Sequence, residues 1–255
     1  MTATTDTRHP ARKCRLDDLL VERGLSTDRD HSRALILARE VLVEGQVALR
    51  AATSLASDSQ INLKNQPAYV SRGGDKLAHV LERTEIEVAG RHCLDVGAAT
   101  GGFTDCLLQH GASDVVAVDV AYGELVPVLR NDTRVTVLER TNARYLQPLE
   151  SPVELATIDV SFISLTKILP ALVDSLLPGA DVLALVKPQF EVTRDRVKRR
   201  GVVHASQDHA RVVAQVGAWA IDHNFRIRGV IRSPLLGPAG NREFFLWLRL
   251  SEVVS

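Results

Sequence analysis

Residues 94–103 read LDVGAATGGF, an apolar strand that runs into a glycine-rich turn and then into the start of a helix. From residue 91 onward, other short apolar runs alternate in the same way with helical stretches. This alternation predicts an α/β fold, in which helices cover both faces of a mostly parallel sheet. The predicted strands are 92–96, 115–119, 135–139, 155–160 and 182–187, and the predicted helices begin at Phe103, Glu124, Ser164 and Ala205.

Two further strands are predicted near the end of the chain, at 227–231 and 243–250. The loop between them, 233–241, is rich in proline and glycine and is too short for the helical crossover that parallel neighbours require. We therefore expect the last strand to run antiparallel to its neighbour.

Residues 15–63 show a different pattern of predicted secondary structure. Leucines at helical spacing from Leu16 end at Gly24, which predicts one short helix, and Asp28 is placed to cap a second one. Residues 41–43 and 46–49 flank a Glu-Gly pair, as in a small hairpin. We predict a flexible segment over 1–14, a compact α+β domain over 15–63, a linker over 64–70 and a larger domain over 71–255.

The composition is that of an ordinary folded protein. The 255 residues are 45% hydrophobic and 24% charged, which excludes a disordered tail protein, a coiled coil and a collagen-like chain. The 31 lysine and arginine residues balance 31 aspartate and glutamate residues. Taken alone, this zero net charge argues against a nucleic-acid partner, because nucleic-acid-binding domains usually carry a basic excess.

Several kinds of site are not expected. Cys14, Cys93 and Cys106 lack the spacing of metal ligands, and their odd number does not suggest a disulfide framework. The sequence contains neither His-Glu-x-x-His nor Gly-x-Ser-x-Gly, the signatures of zinc proteases and serine hydrolases. The first twenty residues contain no apolar run typical of a signal peptide, and no 18 successive residues are apolar. We expect a cytoplasmic protein with no metal and no membrane span.

Ligands of open α/β sheets bind beyond the carboxyl ends of the parallel strands. At the first of these ends, Gly97, Gly101 and Gly102 allow a tight turn and a close approach of the ligand. Their spacing is neither that of a dinucleotide-binding turn nor that of a P-loop. The carboxylate of Asp95 would also repel a pyrophosphate, whereas it suits a cationic amino-acid group.

The next strand ends support a nucleoside ligand. Asp119 lies about twenty residues beyond the turn, where a carboxylate accepts hydrogen bonds from ribose hydroxyls, and Asn142 is placed to contact an adenine edge. Ribose, adenine and an ammonium group together indicate S-adenosyl-methionine. The predicted cofactor-binding residues are Asp95, Gly97, Ala98, Thr100, Gly101, Gly102, Phe103, Asp119, Asn142 and Asp159. The alternative is that these carboxylates cap helices and that the glycines only turn the chain.

A second group of polar residues, Lys76, Asp159, Lys187 and Glu243, is predicted at the same edge. Methyl transfer from a sulfonium is an in-line displacement that needs a positioned nucleophile, and a ribose hydroxyl needs a base. Lys187 is the candidate base if burial and the nearby Lys76 keep its amine neutral part of the time. Asp159 would orient that amine, while Glu243 and Lys76 would hold the hydroxyl. The alternative is a surface ion-pair cluster without a catalytic role.

These four residues and the sequence blocks around them resemble those of a known protein family. Residues 69–250 resemble the FtsJ-like branch of S-adenosyl-methionine-dependent methyltransferases, whose Lys-Asp-Lys-Glu catalytic tetrad falls on the four residues above. More narrowly, the blocks SRGGDKL (71–77), LDVGAATGGFT (94–104), LERTNAR (138–144), DVSFISL (159–165), VKPQFE (186–191) and GNREFF (240–245) look like the TlyA family. That family comprises ribosomal RNA cytidine 2'-O-methyltransferases that are also called hemolysins.

The resemblance extends over most of the chain. It implies a Rossmann-like seven-stranded methyltransferase domain with S-adenosyl-methionine as cofactor. Residues 15–63 resemble the alpha-L RNA-binding motif, except that Arg39-Glu40 replaces the usual glycine and basic residue before the hairpin. Together these similarities imply methyl transfer to the 2'-hydroxyl of a cytidine, with ribosomal RNA or ribosomal subunits as partners.

Basic residues are locally concentrated in this neutral chain, at the N-terminus and directly after the block that contains Lys187. Cations there could hold RNA phosphates while the tetrad takes the ribose. The predicted RNA-binding residues are Arg12, Arg15, Arg29, Arg33, Arg194, Arg196, Lys198, Arg199 and Arg200.

Two other functions are compatible with parts of the sequence. One is a membrane-lysing hemolysin, which no basic amphipathic helix or long apolar segment supports. The other is a non-catalytic RNA-binding factor in ribosome assembly, against which the complete tetrad argues.

Overall fold

The structure is a computed structural model that describes residues 12–64, 67–193 and 201–252. The chain divides into a small unit, Met1–Pro67, and a large unit, Ala68–Ser255. The predicted domains at 15–63 and 71–255 fall within these units. No helix in the described ranges is long and apolar enough to cross a membrane.

The small unit packs two helices on short strands around one apolar core. Leu16, Leu19, Leu20, Ile36 and Val41 are almost completely buried in it. The elements are β1 (Lys13–Arg15), α1 (Leu16–Glu22), α2 (Arg29–Leu37), β2 (Val41–Val43), β3 (Gln46–Val47), β4 (Ser54–Ala56) and β5 (Ile61–Leu63). β1 pairs with β4, and β2 pairs with both β3 and β5. Strand β1 thus begins within the segment that the sequence predicts to precede this domain.

The predicted signals of the small unit correspond to its turns. The side chain of Asp28 accepts a hydrogen bond of 2.8 Å from the backbone nitrogen of His31 and so caps α2. The hairpin between β2 and β3 turns at Glu44 and Gly45, which both have positive φ, as a type I′ turn requires. After α2, Arg39 also has a positive φ of 61°. An arginine therefore holds the left-handed conformation that glycine adopts without strain.

The large unit is a sheet of seven strands with helices on both faces. Its helices are α3 (Arg72–Leu81), α4 (Gly102–Gln109), α5 (Pro127–Arg130), α6 (Leu169–Leu172), α7 (Pro188–Glu191) and α8 (Ser206–Asp222). Its strands are β6 (His92–Val96), β7 (Asp114–Val118), β8 (Val135–Leu138), β9 (Val153–Ile158), β10 (Leu176–Val186), β11 (Phe225–Arg232) and β12 (Phe244–Leu250). Short 3-10 turns occur at Ala143–Tyr145, Leu165–Lys167 and Val173–Ser175.

The strand order is β11-β12-β10-β9-β6-β7-β8, and β12 runs antiparallel to both of its neighbours. The predicted mostly parallel sheet with an antiparallel last strand is therefore confirmed. One apolar cluster lies between the sheet and α8, and another lies between the sheet and the pair α3 and α4. The start of α3 and the turn before α4 both lie at the carboxyl ends of the parallel strands. The polar residues at the starts of these two helices therefore lie close together.

Two predicted helices differ from those observed. The helix expected from Glu124 begins at Pro127 and lasts one turn. The helix expected from Ser164 is a 3-10 turn followed by the four residues of α6, which contains Pro170. Proline favours the first turn of a helix because it lacks a backbone N–H, and these short segments end before a second regular turn forms.

The strained conformation at Arg39 gives a prediction for the small unit. We expect Arg39→Gly to stabilise it by about 0.5–1 kcal/mol, because relief of a left-handed side-chain strain of about 1–2 kcal/mol exceeds the entropy that glycine adds to the unfolded chain. Hydrogen exchange of the α2 and β2 amides in the full chain measures the change. Arg39→Ala, which removes the guanidinium but keeps the β-carbon, should not slow exchange. Equal or faster exchange in the glycine variant would refute the explanation.

Candidate active site

The glycine turn after β6 brings the ends of β6 and β9 into direct contact. Gly97 has a φ of 87°, and a β-carbon there would lie 2.6 Å from the carbonyl oxygen of Asp159. Gly101 has a φ of 99° and forms the N-terminal boundary of α4. A β-carbon at Gly102 would lie 2.9 Å from the backbone nitrogen of Gly74. The glycines therefore serve close backbone packing as well as turning the chain.

Asp95 lies beneath this turn rather than in an open cavity. Its side chain is fully buried. Its oxygens accept hydrogen bonds of 2.7 Å from the hydroxyl of Thr104 and 3.0 Å from that of Thr157. Burial raises the pKa of Asp95 to about 6 against the opposing effect of these hydroxyls, and the charge of Asp159 adds to the rise. Asp95 lines neither of the cavities described below and is bonded to the helix that follows the turn through Thr104.

A cavity of about 460 Å3 opens beside the turn, between the ends of β6, β7 and β9. Asp119 lines it, and its two carboxylate oxygens each accept a hydrogen bond of 2.8 Å, from the backbone nitrogens of Ala99 and Ala121. Asn142 also lines it, and its side-chain oxygen accepts a hydrogen bond from the backbone nitrogen of Arg144. That bond orients the Asn142 amide, so its NH2 group remains available as a donor.

The four residues of the predicted tetrad form two ion pairs. The amine of Lys76 lies 2.6 Å from Oε2 of Glu243, and that of Lys187 lies 2.7 Å from Oδ1 of Asp159. Lys187 also donates a hydrogen bond of 3.0 Å to the hydroxyl of Ser161. All four side chains are largely buried, and that of Glu243 is only 1% exposed. Such burial is inconsistent with an ordinary solvated surface cluster.

Two acceptors of the tetrad have unused hydrogen-bonding capacity. Among the described residues, neither Oδ1 of Asp159 nor Oε1 of Glu243 has a hydrogen-bond partner of good geometry, although the former is ion-paired with Lys187. Glu243 is covered by Gly237, where a β-carbon would lie 2.4 Å from Oε1.

A second cavity of about 430 Å3 adjoins the first. Lys76 and Asp159 line it, together with Arg72 from the start of α3. Gly97, Ala99 and Asp159 line both cavities. The two spaces are therefore neighbours that share one wall, and Asp159 is the charged side chain in that wall.

This arrangement of a two-cavity sheet edge and buried Lys-Asp-Lys-Glu residues agrees with the comparisons with known proteins. The sequence profile of the family described as FtsJ-like methyltransferase matches residues 69–250. The chain belongs to the FtsJ-like methyltransferase family. Membership of this family implies a methyl donor of the S-adenosyl-methionine type.

Individual relatives extend the similarity to the small unit. The 16S/23S rRNA (cytidine-2'-O)-methyltransferase TlyA of Mycobacterium tuberculosis is 49% identical over 243 residues, which cover 94% of this chain and 91% of that protein. Hemolysin A of Brachyspira hyodysenteriae is 36% identical over 90% of this chain and 97% of its own length. A solved structure of a Streptococcus thermophilus protein, provisionally called a hemolysin, has a TM-score of 0.72 at 39% identity. It covers 97% of this chain and 92% of that one.

The predicted ligand residues of this FtsJ-like domain occupy different positions in the site. Gly97 and Asp159 line both cavities, while Asp119 and Asn142 line the first. The second cavity is also lined by Ala98, Thr100, Gly102 and Phe103. Gly101 instead packs under Leu125 and Leu129. Within the described ranges, no group of three His, Cys, Asp or Glu side chains is arranged to hold a metal ion.

Three residues that the sequence did not single out also belong to the site. Ser161 contacts Lys187, and Phe162 lines the first cavity with a side chain that is 90% exposed. Arg72 lines the second cavity and donates a hydrogen bond of 3.3 Å to the carbonyl of Leu236. Their signal was their position inside the blocks 71–77 and 159–165, beside tetrad members.

The predicted RNA-binding cations of the small unit lie near one another. Arg12, Arg15 and Arg29 line a shallow depression. Each of the predicted cations is paired with a carboxylate, so part of its charge is neutralised within the unit. The pairs are Arg12–Glu22, Arg15–Asp17, Arg29–Asp18, Arg33–Asp30 and Arg33–Asp17. The other predicted cations, Arg194, Arg196, Lys198, Arg199 and Arg200, lie outside the described residues.

Burial of Asp95 predicts a pH-dependent cost to folding. Its pKa of about 6 in the folded protein exceeds the ordinary value of 3.8, so the protonated form stabilises the fold and this stabilisation is lost as the pH rises through about 6. Relative to wild type, Asp95→Asn should gain about 2–2.5 kcal/mol in free energy of unfolding between about pH 4 and about pH 7.5. Urea denaturation at several pH values measures the difference. Parallel curves for the two proteins would contradict the assigned protonation.

Proposed function

We propose that this protein transfers a methyl group from S-adenosyl-methionine to the 2'-hydroxyl of a cytidine in ribosomal RNA. The observation that carries the proposal is the position of Asp159 in the wall between two cavities. Its ion-pair partner Lys187 lies directly behind it, 2.7 Å away, and lines neither cavity. In-line displacement needs donor and acceptor on opposite sides of one reacting centre, and this wall supports that arrangement. The family and the similarity to a cytidine 2'-O-methyltransferase support the same reaction.

The first cavity fits the cofactor. Its volume of about 460 Å3 lies in the usual range for small-molecule sites. Asp119 offers carboxylate oxygens to ribose hydroxyls, and the oriented Asn142 amide offers a donor to an adenine nitrogen. When bound, S-adenosyl-methionine supplies an electrophilic methyl group on a sulfonium.

The tetrad would activate the acceptor hydroxyl. Lys187 would accept the proton of the 2'-hydroxyl, so that the hydroxyl oxygen could act as the nucleophile toward the methyl group that the bound cofactor would supply. Asp159, 2.7 Å away, then stabilises the ammonium that forms. Ser161 holds the amine from another side at 3.0 Å. The base is therefore oriented by two neighbours before the substrate binds.

Lys76 and Glu243 have a different role. Lys76 lines the second cavity, where its ammonium can donate a hydrogen bond to the ribose oxygen. Glu243 lines neither cavity and is paired with Lys76 at 2.6 Å. Glu243 therefore acts as a positioning residue, which holds the amine of Lys76 in place toward the oxygen.

The rim of the first cavity suits an unstacked nucleotide. The ring of Phe162 is exposed and lies 4.9 Å from that of Phe190, centroid to centroid. Aromatic side chains at such positions stack bases that have left their helix. Arg72, at the second cavity, offers a guanidinium to a phosphate of the same nucleotide. The target cytidine would thus enter with base, ribose and phosphate each in contact with a different side chain.

Substitutions at Lys187 test the proposed base. Lys187→Arg preserves the charge that pairs with Asp159 but cannot become neutral, so we expect kcat for methyl transfer to ribosomal RNA to fall by about 10²–10⁴-fold. Cofactor affinity, measured by calorimetry, should stay within about twofold, because Lys187 lies outside the lining of the first cavity. The exposed Lys167, which has no contact with the tetrad, provides the control as Lys167→Arg. Full activity in Lys187→Arg would refute the assignment.

A further inference from the structure

A group of arginines lies at the end of the sheet opposite to the tetrad. It consists of Arg91, which precedes β6, Arg226 and Arg228 on β11, and Arg249 on β12. We call these four residues the arginine cluster. Its centre is Asp181 on β10, six residues before Lys187, which directly follows the end of that strand. At about 3.3 Å per residue in an extended strand, Asp181 and Lys187 are separated by about 20 Å.

Asp181 fixes two of the four arginines. Its side chain is 2% exposed and accepts hydrogen bonds from Arg91 at 3.1 Å and from Arg249 at 2.9 and 3.1 Å. The indole nitrogen of Trp247 donates another, of 2.9 Å. Both carboxylate oxygens are thus fully engaged. One negative charge holds two guanidiniums, so this buried centre keeps an excess of positive charge.

The other two arginines increase that excess. Arg226 lies directly opposite Arg249 in the antiparallel register of β11 and β12, a placement in which like charges destabilise a sheet. The guanidinium carbon of Arg228 lies 5.6 Å from the ring centroid of Trp247, held by a cation–π contact. Both side chains are exposed, and neither has a carboxylate partner among the described residues. Two opposed arginines that lack such a partner are typical of a surface that binds an external anion.

The geometry of the surface also restricts the partner. β11 is the edge strand of the sheet, so the cluster can be approached from the side. A small cavity of about 160 Å3 is lined by Arg226, Arg228, Arg249 and Glu252. No ion pair within the described residues joins Glu252 to these arginines. Even with Glu252 and Asp181 counted, four guanidiniums face two carboxylates, which favours a polyanion over a neutral or basic partner.

We propose that the arginine cluster is a second RNA-binding surface, which holds phosphates of the ribosomal RNA at a distance from the methylated nucleotide. The inference rests on the proposed function, which supplies a large RNA substrate. Guanidiniums match phosphate oxygens bidentately. Phosphate contacts fix the position of a protein on RNA without reading its sequence. Because the cluster is joined to Lys187 through one continuous strand, a phosphate held there sets the distance of the RNA from the base.

The double variant Arg226→Glu, Arg228→Glu tests this surface. With ribosomal subunits as substrate, we expect KM to rise about tenfold with kcat unchanged. Filter binding to protein-free ribosomal RNA measures the slope of log affinity against log salt concentration. We expect this slope to become shallower by about 1–2, because each lost phosphate contact lowers its magnitude by slightly less than one. The double variant Arg226→Lys, Arg228→Lys keeps the charge but not the bidentate geometry, so it should retain the salt slope with a smaller loss of affinity than the glutamate variant.

Two controls separate the possible outcomes. Arg134→Glu reverses a charge at the start of β8, the opposite edge strand, and should leave KM unchanged. Circular dichroism checks the fold, and Arg226→Gln with Arg228→Gln replaces the reversed pair if that pair fails to fold. Unchanged KM and salt slope, or a loss of kcat alone, would overturn the proposal. An effect on subunits but not on protein-free RNA would also overturn it, because it assigns the surface to a ribosomal protein. Failure of the proposed function is distinct, since wild-type protein would then methylate no ribosomal RNA.

Discussion

The close approach of Gly97 to the carbonyl oxygen of Asp159 is the constraint on which the site depends. No side chain larger than hydrogen fits there, since a β-carbon would lie 2.6 Å from that oxygen. The contact places the end of β6 against the end of β9, so one wall of backbone and one carboxylate serve both cavities. In the proposed reaction, the distance between methyl donor and acceptor is then set by this contact between the ends of two paired strands.

Burial of charge is the energetic cost of this arrangement. Lys76, Glu243, Asp159 and Lys187 all lie largely out of solvent, where removing ions from water costs several kcal/mol each and attraction only partly repays it. Asp95 adds a fifth ionisable group beneath the same turn, with its pKa raised by burial. Nothing in the packing of an α/β domain requires these charges at a sheet end. The proposed function gives these charges a role at that end, where a preorganised, poorly solvated amine and carboxylate would act on a hydroxyl.

Local patterns predicted much of this molecule. Strands β6 to β10, the antiparallel β12 and the cap at Asp28 follow from apolar periodicity, loop length and residue type. Topology also predicted that Lys76 and Glu243 share an edge, although 167 positions separate them. The choice of ion-pair partners did not follow, because it depends on side-chain distances that no spacing encodes. Asp95 was expected at the ligand, but Thr104 and Thr157, which enclose it, come from different elements. In the small unit the hairpin strands β2 and β3 were predicted from the Glu-Gly turn between them, whereas the three-residue strands β1, β4 and β5 were missed because they are too short to show alternation.

The central claim is that the two neighbouring cavities hold S-adenosyl-methionine and a cytidine ribose for methyl transfer between them. Purified protein, S-adenosyl-methionine with a labelled methyl group and ribosomal subunits that lack the modification provide the direct measurement. Mass spectrometry of the nucleosides then identifies the labelled product. The account predicts label in 2'-O-methylcytidine, formed at least about 100-fold more slowly when Lys187→Arg replaces the wild type. Label on a base, on a protein, or in a nucleoside other than cytidine would contradict it.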